Sequence, residues 1–281
     1  MATFPFYLAS IFSEKSGSGD SLVIFEHSAQ LSEHEQQMLA YQMGGNEVVF
    51  LNRNKAQVSF FHPQFSLPFS GKGLLGAAAL LLQDKTLPAA PITLHCSAGS
   101  YQLGQEGEYF HLNCPAGRTR PSTKGQVEIA FALGIHSHDI LMPMLFADTG
   151  VEQLIVQVRS RQNVLQARPH SALLAEYAES PKQATQVAIW HRDGDLITMR
   201  SFTVDHFNIY EDFGAASSAL NLASAHLASG GRLPFQVKIE QGHTIEKAIT
   251  RLSHLYLQID TKLDVHLKGK VQFLGSGQIE T

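Results

Sequence analysis

Ser70-Gly71-Lys72-Gly73-Leu74-Leu75-Gly76-Ala77-Ala78-Ala79-Leu80-Leu81-Leu82 decides how this chain must fold. Beyond Lys72 no side chain in the run is polar. A helix that is apolar on every side has to be wrapped by other elements. A second run has the same character: Gly214-Ala215-Ala216-Ser217-Ser218 opens a helix to about Ser229, with Ala219–Leu227 as its wrapped part. Short alternating strands flank both runs and can do the wrapping. The chain therefore reads as α+β, with two similar domains, each a curled, mostly antiparallel sheet around one central apolar helix. The first domain is expected over residues 1–118 and the second over 119–281, with the last strand allowed to return to the first domain. Pro115–Lys124, rich in Pro, Gly, Ser, Thr and Arg, is the expected linker.

Composition agrees. A chain of 281 residues suits two domains, at roughly 150 residues each. Charged residues are only 16% and the net charge is −4, which argues against a nucleic-acid partner. Cys96 and Cys114 stand far apart, which excludes a disulfide framework and a Cys-rich zinc site. Met1–Phe12 is apolar without a basic start, so it reads as a strand and not a signal peptide. The longest apolar run, Leu74–Leu82, falls far short of the ~18 residues a membrane span needs. A cytoplasmic protein with no membrane partner is expected.

Strands are expected at Phe4–Phe12, Ser21–Glu26, Glu47–Leu51, Ala56–His62, Ile92–Cys96, Tyr101–Leu103, Tyr109–Asn113, Met144–Phe146 and Gln153–Val158. Leu31–Met43 reads as a helix, with Ser32 and Glu35 as a capping box. Shorter helices are expected near Gln162–Ala167 and Ala172–Glu179. Gln186–Phe202 reads as a hairpin turning at Asp193-Gly194.

Several motifs are set aside. Gly71–Gly76 spells G-x-G-x-x-G, but the next strand ends in His95-Cys96-Ser97 where a dinucleotide site needs an acid. A P-loop would need Gly at Ser66 and Ser or Thr at Gly73. Asp148-Thr149-Gly150 has no second copy, as an aspartic protease would require, and reads as a turn. His191-Arg192-Asp193 lacks the downstream Asn of a kinase loop. His136, His138 and Asp139 read as a solvated loop and not a metal site. No Gly-x-Ser-x-Gly elbow supplies a serine nucleophile.

Three features survive: Asn46-Glu47 at the start of a strand, Ser70-Gly71-Lys72-Gly73 at the start of one apolar helix, and Glu211-Asp212 before Gly214-Ala215-Ala216-Ser217 at the start of the other. A helix N-terminus offers unpaired N–H groups and partial positive charge, a ready anion site where small residues allow approach. Lys72 opposes the helix dipole unless an anion sits nearby; the alternative is a solvated lysine on a flexible stem. From pattern alone a helix cap accounts for Asp212, and a strand-edge charge for Glu47.

These residues resemble the PhzF-like phenazine-biosynthesis isomerases, of the diaminopimelate epimerase-like fold. Gly45-Asn46-Glu47-Val48-Val49-Phe50 is similar to that family's Ser-Glu-Thr-Thr-Phe. Leu67–Ala78 is similar to its Leu-Pro-Phe-Ala-Gly-His-Pro-Thr-Leu-Gly-Thr-Ala. Asp148-Thr149-Gly150, Glu211–Ser217 and Ile239-Glu240-Gln241-Gly242 follow in the family's order, and nearly the whole chain is covered. The resemblance implies an active site between two like domains and cofactor-free proton transfer on a small carboxylate-bearing substrate, with no metal. It places the family's essential glutamate on Glu47 and its catalytic aspartate on Asp212. It places main-chain substrate contacts on Gly71, Ala216 and Ser217; Lys72 is expected to complete the anion clamp, and Asn46 and Gly73 are expected to bind substrate beside it. Relatives are often dimers, so a homodimer is expected.

The chemistry is coherent. Moving a proton along an unsaturated or α-substituted acid needs a base at one carbon and an acid at another. Three departures stand out. The family's histidine is Lys72, its Pro-Ala-Thr-Gly is Phe213-Gly214-Ala215-Ala216, and its late Gly-Arg-Pro-Ser has become Glu246–Thr250. Lysine is a poor proton shuttle at neutral pH, so the substrate is expected to differ from the phenazine intermediate. Ser70 and Ala215 stand where the thiol-based racemases of this fold carry cysteines, which argues against a two-thiol racemase. The competing expectations are a catalytically silent relative that binds a small organic acid and, more weakly, a nucleotide-dependent enzyme.

Overall fold

In a computed structural model, residues 3–26, 31–45, 47–83, 91–180, 185–205, 208–244 and 251–280 are described. The chain divides into two compact units, one of residues 1–114 and 266–281 and the other of residues 115–265. In chain order the first unit holds β1 (Thr3–Ile11), β2 (Asp20–Glu26), α1 (Glu33–Met43), β3 (Val48–Asn52), β4 (Gln57–His62), β5 (Phe65–Leu67), α2 (Gly71–Leu82), β6 (Ile92–Cys96), β7 (Gly99–Glu106) and β8 (Tyr109–Pro115). The second holds β9 (Arg118–Pro121), α3 (Gln126–Leu133), β10 (Ile140–Asp148), β11 (Glu152–Val158), α4 (Arg161–Gln166), α5 (Ser171–Tyr177), β12 (Thr185–Asp193), β13 (Leu196–Asp205), β14 (Asn208–Asp212), α6 (Ala216–Ala228), β15 (Phe235–Gln241) and β16 (Ser253–Ile259). The last strand, β17 (Asp264–Glu280), runs back into the first unit.

In the first unit, strand pairing passes from β1 through β2, β3, β4, β6, β7 and β8 to β17, which pairs with β1 again. The sheet closes on itself, and β5 hangs on β4. α2 lies inside, touching β1, β2, β3, β4, β6 and β7. Every residue from Gly71 to Leu81 is buried, Lys72 included. Closure removes the exposed strand edges and gives an all-apolar helix its only stable environment. Gly76 shows how tight the fit is: a Cβ there would lie 2.4 Å from Leu22 Cδ2. Its place in the G-x-G-x-x-G run thus reflects packing.

The second unit repeats the connections. The hairpin β1–β2, the parallel step to β3 after α1, the hairpin β3–β4 and the parallel step to β6 after α2 correspond to β10–β11, the parallel step to β12 after α4 and α5, β12–β13, and the parallel step to β15 after α6. The small strand β5 on β4 corresponds to β14 on β13. α6 touches β9, β10, β11 and β16, and its residues from Ala216 to Ala225 are buried apart from Ser217.

Some details differ from expectation. The stretch expected as a linker contains β9, which pairs antiparallel with Leu145–Asp148 of β10. Two arginines and a proline hide its strand character. Arg120 gives it an anchor, with its guanidinium 3.8 Å from the Phe146 ring centroid and a two-pronged bond to Glu152. α3 was not expected: its apolar residues do not resolve into a single face, since Val127 and Phe131 are exposed while Ile129 and Leu133 are buried. The β12–β13 turn is Gly194-Asp195, one residue later than expected, because Asp193 pairs with Leu196. No described helix is long and apolar enough to cross a membrane.

Candidate active site

The first unit brings Glu47, Lys72 and Gly73 together and adds a residue the sequence reading missed. Glu47 stands just before β3, held by its carbonyl, which accepts from Val23 N–H at 3.2 Å. Lys72 is the second residue of α2. Ser70 caps that helix, its hydroxyl oxygen accepting from Gly73 N–H at 2.9 Å. The Lys72 ammonium donates to Asp20 Oδ2 at 2.5 Å and lies 3.6 Å from Glu47 Oε2. All three side chains are at most 4% exposed. Lys72 is therefore not a solvated lysine, nor Glu47 a strand-edge charge. The ammonium that looked like a free anion clamp is engaged by two carboxylates. That explains how a lysine is tolerated in the first turn of a buried helix, where the dipole opposes it.

Gly73 has a specific reason to be glycine. A Cβ there would fall 2.7 Å from Glu47 Oε1 and 2.6 Å from the Phe60 ring. The bare Cα lets the carboxylate close against the helix N-terminus, where peptide N–H groups favour negative charge.

Where α2 carries Lys72 as its second residue, α6 of the second unit carries Ser217. Asp212 ends β14, half-buried, and its Oδ1 accepts from Gly214 N–H at 2.9 Å, shaping the turn into α6. The N-cap is Ala215, which offers no side-chain cap. Gln241, fully buried, does that work from β15: its Oε1 accepts from Ala215 N–H at 3.0 Å and its Nε2 donates to Ala215 C=O at 3.3 Å. Ala216 is buried and Ser217 half-buried. Ser217 Oγ accepts from Gln153 Nε2 at 3.1 Å, and Gln153 Oε1 accepts from Asn221 Nδ2 at 3.0 Å. Asn221 Nδ2 also donates to Val151 C=O, and its Oδ1 accepts from both the N–H and the hydroxyl of Thr149. The Asp-Thr-Gly segment is thus a turn, as its pattern indicated, whose threonine holds a buried asparagine of α6.

Glu211 has a structural task. It takes a two-pronged bond from Arg200, 2.8 Å to each oxygen, and a third from Thr244 Oγ1 at 2.7 Å. Within Glu-Gln-Gly only the glutamine reaches α6. Burial pushes the Glu240 carboxyl up, but the hydrogen bond and charge of Lys238, with His254 and His243, outweigh it and hold the group below its ordinary value. His243 is in turn pushed down by burial and by Arg161.

Asn46 and Glu246–Thr250 lie outside the described residues. Cys96 lies in β6 and Cys114 in β8, while Ser70 and Ala215 are the N-caps of α2 and α6. Burial pushes the Cys96 thiol up, away from the reactive thiolate. Among the described residues no three His, Cys, Asp or Glu side chains cluster to hold a metal.

Two wrapped helices, a buried carboxylate at the N-terminus of one and an aspartate at the turn into the other, define an α+β protein of the diaminopimelate epimerase-like class. The chain belongs to the phenazine biosynthesis-like protein family (PhzC–PhzF), which it matches over residues 9–279. It is 25% identical to an uncharacterized isomerase of Pasteurella multocida, over 99% of this chain and 95% of that one. It shares its fold with a PhzF-family phenazine biosynthesis protein of Bacillus anthracis, at TM-score 0.78 and 19% identity over the whole of both chains. A predicted epimerase of Pseudomonas aeruginosa superposes equally well, at TM-score 0.78 and 22% identity over 99% of each chain.

Proposed function

We propose that the protein is a cofactor-independent isomerase that moves a proton on a small carboxylate-bearing metabolite. The observation that carries the reading is the buried Glu47 carboxylate, pressed against the N-terminus of α2 through the bare Cα of Gly73 and balanced at 3.6 Å by Lys72. Glu47 takes the proton from a carbon next to an electron-withdrawing carboxylate or double bond. The C–H electron pair moves into the conjugated system as an enolate-like anion. The partner carboxyl, Asp212, delivers a proton to another carbon or to the opposite face, and exchange with solvent returns both carboxyls to their starting states. Atoms balance without an oxidant or a second substrate. Such proton transfer typically supplies about 10²–10⁴-fold. The main-chain N–H groups of Gly71, Ala216 and Ser217 are the donors that stabilise the developing anion. Glu47 and Asp212 belong to different units, so the reading requires one substrate to meet both, as the family resemblance implies. Lys72 sets the charge beside Glu47 and does not shuttle the proton.

The test is solvent exchange. Incubation with a panel of amino, hydroxy and unsaturated carboxylic acids in D₂O is expected to place deuterium on carbon in at least one of them. Glu47→Gln is expected to abolish that uptake; a variant that exchanges as fast as the parent removes Glu47 from the mechanism. One observation favours a second reading. Because the Lys72 ammonium is engaged by Asp20 and Glu47, a silent relative would bind a carboxylate through peptide N–H groups alone. Thermal stabilisation by an acid from the panel, with no carbon-bound deuterium, would select that reading.

A further inference from the structure

We infer that Asp20 is a positioning residue for this site: it draws the Lys72 ammonium towards itself, so that Glu47 feels the cation's field without being locked to it by a hydrogen bond. The inference rests on the reading of Glu47 as the acid–base group. Its own basis is geometric. Asp20 Oδ2 is 2.5 Å from Lys72 Nζ, a charge-assisted hydrogen bond, whereas Glu47 Oε2 at 3.6 Å is beyond hydrogen-bond reach. Asp20 is 3% exposed, an unusual place for a carboxylate unless it is paired. The chain is built to deliver it there. Gly19, at φ +79°, precedes Asp20 in a turn so tight that a Cβ would lie 2.5 Å from Ile11 O. The Ser10 hydroxyl donates to Ser18 C=O at 2.6 Å and pins the other side.

The charge arithmetic supplies the function. With all three groups ionised the trio carries a net charge of −1, so one added proton makes it neutral. A cation hydrogen-bonded to Asp20 leaves Glu47 incompletely balanced and with an appetite for that proton; a cation paired with Glu47 alone would remove it. Among the described residues, the ion pairs that tie Glu47 to its surroundings run through Lys72 of α2 and, behind it, Asp20 of β2. Its neighbours Gly73 of α2 and Phe60 of β4 are uncharged. In Asp20→Asn, Lys72 keeps Glu47 as its carboxylate partner within the trio and the repulsion between the two carboxylates disappears. Both changes favour ionised Glu47, so its titration moves to lower pH.

The experiment uses the intact protein labelled with ¹³C at glutamate side-chain carboxyls, the Glu47 signal being the one lost in Glu47→Gln. Asp20→Asn is expected to lower the Glu47 titration midpoint by about one pH unit or more, the effect of one neighbouring charge. Asp20→Glu is expected to restore it towards the parent value. An unchanged midpoint in a folded Asp20→Asn overturns the inference. Should that variant fail to fold, the unaltered protein decides with ¹⁵N-lysine labelling. The Lys72 ammonium is expected to give a solvent-protected proton signal that surface lysines lack, and rapid exchange at Lys72 overturns the inference. No substrate enters these measurements. Failure of every acid to exchange in D₂O would therefore strike the isomerase reading alone, and a static midpoint would strike Asp20 alone.

Discussion

The N-termini of α2 and α6 occupy corresponding places in two copies of one plan, yet they are built from opposite materials. At α2 the side chains are charged and dry: Asp20, Lys72 and Glu47, with a serine cap of ordinary kind. At α6 the interior is held by neutral amides: Gln241 on Ala215, and Asn221 and Gln153 on the strand residues and on Ser217. Repeating a fold repeats the problem of satisfying helix ends inside a core, but not the solution. Charged groups give steep, pH-sensitive energetics that suit a proton-transfer residue. Amide networks give rigid geometry without a net charge, which suits a surface that must receive an anion.

The comparison predicts different fragility. Lys72→Met leaves Asp20 and Glu47 buried without their shared cation. Breaking a buried pair by removing one partner costs about 3–5 kcal/mol. Hydrogen–deuterium exchange of peptides covering 71–82 should show that loss of protection. A loss under about 1 kcal/mol would mean that the carboxylates shed their charge or find water, and the trio would not be an energetic unit. On the other side, Asn221→Leu removes four hydrogen bonds inside the second unit, two to Thr149 and one each to Val151 and Gln153. A cost of about 3 kcal/mol is expected, since each abandoned buried group costs about 1–3 kcal/mol and water relieves part of it. It should appear in peptides covering 216–228, with pH dependence much weaker than that of the Lys72 variant. A strongly pH-dependent loss would contradict the description of the Asn221 network as neutral amides.

How much of this was legible follows from where each signal lives. The wrapped helices were legible because apolarity on all sides is a local property of Gly71–Leu82 and Ala219–Leu227 with only one structural resolution. Glu47, Lys72 and Gly73 were legible as a constellation because two of them sit in one segment and the family resemblance supplied the third. Asp20 was not. It lies at the end of a Ser/Gly turn, where aspartate is common for local reasons, and its role exists only once β2 is laid beside α2. Asn221 did carry a readable mark, a lone amide inside an otherwise small and apolar helix. Its partners come from a turn about seventy residues away, however, and no spacing rule reaches that far. β9 was hidden because charged residues and proline mask strand character, and Arg120 reveals its purpose only through Phe146 and Glu152.

The two caps offer the finest test of the comparison. Ser70→Ala removes an ordinary N-cap hydrogen bond and should cost about 1 kcal/mol, the usual value for a serine cap. Gln241→Ala removes a cap that reaches α6 from another strand. It takes Gln241 away from the buried Ala215 N–H, while the Ala215 C=O keeps its bond from Ala219 N–H, and it opens a gap where the side chain stood. About 2 kcal/mol is expected from the abandoned N–H and the gap. The pair should also differ in kind. Ser70 acts on its own helix, so its loss should leave the position of α2 unchanged and loosen only the first turn. Gln241 ties β15 to α6, so its loss should raise exchange in peptides from both. If Gln241→Ala loosens α6 alone, Gln241 is a local cap like Ser70, and the contrast between the two helix ends reduces to the presence or absence of charge.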